Sequence, residues 1–162
     1  MVFKEMKETT RFIIKVTILT VLSLVAAKAT AAVIPSTESD IDKRVFPIVV
    51  EYVELLKASG VEIPFQYKIQ VVVKKEVLAE GAVGMAFGMF ADSVVMVALD
   101  PDIFYLSRNQ MRWVIFHELT HDIFNIRHES GLFLMRPVLP EYVTDYDVQS
   151  GMCELADYLS VI

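Results

Sequence analysis

The residues with the clearest chemistry in this chain are His117-Glu118-Leu119-Thr120-His121, read on through Asp122-Ile123-Phe124-Asn125-Ile126-Arg127 to His128. On a helix, residues four apart lie on one face, so His117 and His121 can both present a ring nitrogen to one metal ion. Glu118 is carried round toward the open side of that ion, where a carboxylate can take a proton from an activated water. His128 follows seven residues after His121 and is the candidate third ligand. Three protein ligands leave one of four tetrahedral positions open, as a catalytic Zn2+ needs and a structural one does not. The chemistry expected is therefore metal-assisted hydrolysis, with zinc as cofactor and Glu118 as the catalytic residue. Other carboxylates stay open as third ligand. Asp122 and Glu129 lie close in sequence, and Glu141 and Glu154 lie further on.

The elements that must hold these groups are readable around them. Ser107 with Gln110 three residues on is a capping-box pattern, and it opens a helix through Met111, Val114, Ile115, Leu119 and Ile123. Asn125 stands just past the last apolar turn, and asparagine is the commonest non-glycine residue in the left-handed conformation that closes helices. Upstream, Ile41, Val45, Val49, Val53 and Leu56 recur at helical spacing, with Pro47 near the start and Gly60 as a stop. The alternating, β-branched run from Gln66 to Lys74 predicts a strand. The run from Gly81 to Phe90, the turn Ala91-Asp92-Ser93 and the run from Val94 to Leu99 together predict a hairpin. In the first of those strands Val83, Met85, Phe87 and Met89 face one way, and Gly84, Ala86 and Gly88 leave the other face nearly bare. Thr144 with Asp147 repeats the capping pattern, and Val148, Met152, Leu155 and Leu159 give a last amphipathic helix.

Composition bounds the rest. The chain has 162 residues, 54% hydrophobic and 22% charged, enough for one domain with a real core and unlike a disordered or fibrous chain. Lys4, Lys7, Arg11 and Lys15, the apolar run from Val16 to Ala27, and Ala29-Thr30-Ala31 have the three-part layout of a secretory leader. Residues 1–31 are expected to be a signal peptide or, if uncleaved, an N-terminal membrane anchor, which would be the protein's one membrane contact. A linker spans 32–40 and the folded domain 41–162, so the protein is expected to be exported, secreted or periplasmic. From Ala32 onward ten Lys or Arg stand against nineteen Asp or Glu. So acidic a domain has no basic stripe for nucleic acid. Cys153 is the only cysteine, which rules out an internal disulfide, and its helical setting predicts a buried, inert thiol.

The stretch from His117 to His128 resembles the zinc signature of the metzincin peptidases, in which H-E-x-x-H runs into a glycine turn and a third histidine. Leu134-Met135-Arg136-Pro137 is similar to the Leu-Met-Tyr-Pro of the matrixins among them. The resemblance spans Gly81 to Pro137. It implies that Met135 forms a tight methionine turn under the ligands, and that an edge strand around Gly84, Ala86 and Gly88 binds extended peptide. It departs from the family in placing His128 one residue late, with Asn125 for the turn glycine, and in having Arg136 for the matrixin tyrosine. Tyr142 and Tyr146 are then candidates for stabilising a tetrahedral intermediate. The fold implied is a small α/β (α+β, zincin-like) domain, with a small mixed sheet packed on the active-site helix, a methionine-turn loop and a C-terminal helix. The function implied is that of a zinc-dependent endopeptidase acting, as a monomer, on a peptide or protein substrate. A gluzincin-like peptidase using Glu141 or Glu154, and a non-catalytic exported zinc-binding module, are the alternatives.

Overall fold

A computed structural model describes residues 41–61, 68–87 and 94–161. The leader and linker expected over 1–40, Gly88, Met89 and the 91–93 turn lie outside the described residues. Among the described residues there are three α-helices, α1 (Phe46–Ala58), α2 (Arg108–Phe124) and α3 (Asp145–Leu159). Three strands, β1 (Lys68–Val73), β2 (Gly84–Ala86) and β3 (Val94–Leu99), form one mixed sheet in the order β1-β3-β2. The result is a mixed α/β arrangement, as the sequence leads one to expect. Among the described residues no helix is long and apolar enough to cross a membrane.

β3 is the central strand because its side chains serve the core almost without interruption. Val95, Val97, Ala98 and Leu99 are all buried. It pairs in parallel with β1, setting Ile69 opposite Val95 and Val71 opposite Val97. Its other edge takes β2 antiparallel, with Gly84 opposite Leu99 and Ala86 opposite Val97. That antiparallel pairing is the one expected of the hairpin, and among the described residues of the run from Gly81 it covers Gly84–Ala86. Two local features bound it. Gly81 has a φ of +79°, which belongs to a turn. At the other end Phe87 N–H still donates to Met96 C=O, yet Met96 N–H turns to the Asp122 carboxylate of α2, 2.7 Å away. The ladder is handed from strand to helix at that point.

The helices form where the sequence signals place them. In α1, Ile41, Val45, Val49, Val53 and Leu56 are all buried, forming the inner surface of the helix and its approach. Gly60, at a φ of +73°, lets Val61 N–H reach back to Leu56 C=O, closing the helix with a six-to-one bond. Both later helices open on full capping boxes, Ser107 with Gln110 and Thr144 with Asp147. Helix α2 lies against β2 and β3 on one side and against α1 and α3 on the other. Ile115, Phe116, Leu119 and Ile123 are fully buried there. Tyr52 of α1 bonds the Thr120 hydroxyl at 2.9 Å, and that hydroxyl donates to Phe116 C=O. Arg112 ties the three helices together from a buried position, reaching Glu51 of α1 at 2.6 Å and Asp145 at the start of α3.

One expectation fails. Cys153 is exposed rather than buried. The inward stripe of α3 is Val148, Met152 and Leu155. Residue 153 is turned about 100° from Met152 along a helix of 3.6 residues per turn, which carries it out of that stripe.

Candidate metal centre

The three histidines of the chain meet at one point. His117 and His121 project from consecutive turns of α2, and His128 returns on a short 3-10 turn, His128–Ser130. Asn125 makes the return possible. It adopts the left-handed conformation (φ 51°, ψ 34°) and ends α2 after Phe124. The chain turns there on asparagine, where a glycine would be the ordinary choice.

The Nε2 atoms form a near-equilateral triangle. His117 to His121 is 3.0 Å, His117 to His128 is 3.1 Å and His121 to His128 is 2.9 Å. Nitrogens held at the zinc–nitrogen distance of about 2.05 Å in a tetrahedron stand roughly 3.3 Å apart. The donor set therefore fits one small metal ion, and only a slight opening of the triangle is needed to seat it. Among the described residues these three are the only histidine, cysteine or carboxylate groups gathered closely enough to hold an ion.

The outer nitrogens of the two helix ligands are committed to backbone carbonyls. His117 Nδ1 lies 2.8 Å from Leu134 C=O, and His121 Nδ1 lies 2.6 Å from Ile126 C=O. A carbonyl can only accept, so each Nδ1 carries the proton and each Nε2 lone pair is left facing the centre. Burial reinforces this. It pushes the His117 imidazole down to about 4, helped by the neighbouring histidines and opposed by the Leu134 carbonyl. Burial also lowers His121, again against a stabilising carbonyl. Burial thus favours the neutral, ligating form of both rings.

The carboxylates considered as rival ligands have other work or other places. Asp122 is buried and accepts from Met96 N–H. Glu154 accepts from Phe133 N–H at 2.7 Å, and so holds the Phe133–Met135 turn whose Leu134 carbonyl orients His117. Glu129 is exposed. Glu141 is exposed too, and its backbone carbonyl accepts from Gln110 of α2. Met135 is fully buried in the 3-10 turn Phe133–Met135. Gly151 of α3 packs on Leu134 of that turn; a Cβ there would lie 3.5 Å from the Leu134 Cβ. Tyr142 and Tyr146 are exposed, and neither lines the cleft described next.

A cleft of about 690 Å³ opens over the histidines. One part of its wall comes from Gly81 to Ala86, another from Arg136 to Leu139, and Trp113, Val114, the site residues of α2 and the Asn125–His128 return supply the rest. Glu118 sits inside it, 9% exposed. Burial pushes its carboxyl up to about 7, against a backbone hydrogen bond from Ala86 that favours the ionised form. Gly84 makes room for it. A Cβ at Gly84 would lie 2.9 Å from Glu118 Cγ and 3.0 Å from Val114 Cγ1. The bare face of β2 at Gly84 is therefore filled by Glu118, and the strand's outer edge stays open except at Ala86 N–H, which that carboxylate accepts. Val83 C=O and Phe87 N–H point to β3. By the alternation of strand backbones, Gly84 and Ala86 turn theirs to the opposite side, which carries no further strand among the described residues.

Several of these parts carry no sequence signal. The Leu134 and Ile126 carbonyls are backbone groups that any residue type supplies. The second job of Asp122 and the anchoring by Glu154 depend on contacts across 26 and 21 positions. No family profile matches the chain, and no curated protein or solved structure matches it at a significant level.

Proposed function

We propose that this protein is a zinc-dependent endopeptidase of metzincin-like design. The observation that carries the reading is the triangle of three Nε2 atoms with Glu118 beside it, in an open cleft bordered by a strand edge. Three imidazoles suit zinc, and the absence of a fourth protein donor among the described residues matches the open position of a catalytic site. Zinc held by His117, His121 and His128 would supply Lewis-acid polarisation of a water and of the scissile carbonyl.

The rest falls to the chain itself. Glu118, buried in the cleft beside the three histidines, is placed to take a proton from the activated water and hand it to the leaving amine. The outer edge of β2 offers the Gly84 N–H and C=O and the Ala86 C=O, Ala86 N–H being held by Glu118, and an extended peptide can add there as a further strand. Leu134 and Ile126 keep His117 and His121 in register. The buried Met135 turn beneath His117 and the asparagine exit of α2 support the metzincin-like assignment.

The test is cleavage of a denatured protein by the zinc-loaded chain and by its Glu118→Gln variant. Turnover by the wild type, and its loss by a factor of about 100 or more in a variant that keeps its zinc, is the expected result. A wild type that binds zinc and cleaves no protein or peptide fails the proposal and leaves a zinc-binding module.

A further inference from the structure

The cleft carries a charge pattern that the hydrolytic chemistry does not use. From Ala32 onward the chain is acidic, ten Lys or Arg against nineteen Asp or Glu. Yet the basic residues on the cleft wall are two arginines, Arg127 and Arg136. Arg127 immediately precedes His128, and Arg136 immediately follows the buried Met135. Both are exposed, and neither has a carboxylate at ion-pair distance among the described residues. That is unusual here, since Arg44, Arg108 and Arg112 all reach an acidic partner.

The acids of the wall do not neutralise them. Glu118 and Asp122 are buried, and each takes a backbone N–H from the sheet, Glu118 from Ala86 and Asp122 from Met96. Arg136 is also held in place. Its guanidinium lies 4.4 Å from the centre of the Phe133 ring, which itself meets Trp113 edge-on at 4.7 Å. Stacking fixes the plane of a guanidinium while leaving its N–H fork free to grip a carboxylate. A wall that presents unpaired cations beside the reacting centre, one of them held by stacking, favours an anionic group and disfavours a cationic one.

Resting on the peptidase reading, we propose that the cleft selects peptides carrying an aspartate or glutamate close to the scissile bond, with Arg127 and Arg136 as the specificity-determining residues. Both arginines are solvent-exposed, so each contact is worth a factor of a few rather than of thousands. Together they make acidic peptides better substrates by roughly tenfold at low salt, and screening erodes the preference as ionic strength rises.

The experiment compares kcat/KM for matched peptides with glutamate, glutamine or lysine at each position flanking the bond. It uses the zinc-loaded chain and its Arg127→Gln, Arg136→Gln and Arg127→Glu/Arg136→Glu variants, with melting temperature and zinc content recorded for each. The expected result is the order glutamate, glutamine, lysine for the wild type, flattened in each single variant and inverted in the double reversal. Equal cleavage of all three peptides by the wild type overturns the acidic selectivity and leaves the peptidase reading standing. An acidic preference that survives in the folded, zinc-loaded double variant overturns the role of these arginines. If no peptide is cleaved, binding of the same peptides to the zinc-loaded chain decides. An acidic preference lost in the arginine variants then sustains the selectivity while the peptidase reading falls, and its absence overturns both.

Discussion

His117 and His121 rise from a helix that is buried along most of its length, whereas His128 stands on an exposed turn. Each helix ligand has its second ring nitrogen fixed by a backbone carbonyl, at 2.8 and 2.6 Å. The described structure shows no such partner for His128. The three Nε2 atoms nevertheless sit at nearly equal spacings. The difference lies in what holds each donor. Two are preorganised by a core, and the third depends on one left-handed residue, Asn125. A preorganised ligand loses little freedom on binding, while one on a turn must be ordered at that moment.

The largest test of this contrast is the loss of a ligand. His117→Ala or His121→Ala is expected to weaken zinc binding by roughly a thousandfold, a third of a binding free energy near 12 kcal/mol. His128→Ala should cost less, on the order of a hundredfold, because the ordering of its turn is no longer required. Competition titration against a chelator measures all three. Equal losses would erase the distinction between helix and turn, and undiminished affinity in His128→Ala would remove His128 from the ligand set.

Burial of the helix side has a second consequence, in pH. Glu118 titrates near 4.5 when unfolded and near 7 in the native chain. The native state therefore holds an extra proton between those values. The resulting stabilisation is fully present below about 4.5 and is lost as pH rises through about 7. Above that the fold buries an ionised carboxylate. Metal-free Glu118→Gln should accordingly be more stable than the wild type at pH 8, by up to about 3 kcal/mol, with the two converging near pH 4. Urea unfolding at both pH values reads this directly. A gap that widens toward acid contradicts it.

Two smaller effects separate chemistry from metal retention. Gly84→Ala places a methyl 2.9 Å from Glu118 Cγ, so the carboxylate must move. Peptide cleavage should fall by about tenfold or more while zinc stays stoichiometric. Glu154→Ala frees Phe133 N–H and loosens the turn that presents the Leu134 carbonyl to His117. Zinc affinity should drop by about tenfold, the lower end for a group behind a ligand. Glu154→Gln, which keeps an accepting oxygen, should recover most of it. Failure of that rescue would mean that charge, and not the hydrogen bond, holds the turn.

The same division decides what the sequence made legible. His117, Glu118 and His121 are a local pattern on one helix, and both ends of that helix are marked by short-range signals, the Ser107 box and Asn125. The inner stripes of α1 and α3 were readable for the same reason. The cleft was not. Its walls join Gly81–Ala86 to Arg136–Leu139, segments about fifty residues apart. Nothing in either segment alone shows that they face one site. Nor does the sequence show that the bare face of Gly84 is filled by Glu118. Glu154 looked like a ligand because it is a carboxylate on a late helix, and its oxygen goes to a backbone N–H. Cys153 shows the limit of periodicity, where one step along α3 changes core to solvent.

The central claim is that the three histidines hold one zinc ion with a position left open. A crystal of the zinc-loaded chain, with the metal located by anomalous scattering, tests it most directly. The account expects a single zinc about 2.1 Å from Nε2 of His117, His121 and His128, with no fourth protein atom bound. A zinc held elsewhere, bound by the helix pair without His128, or closed off by a fourth protein ligand would contradict it.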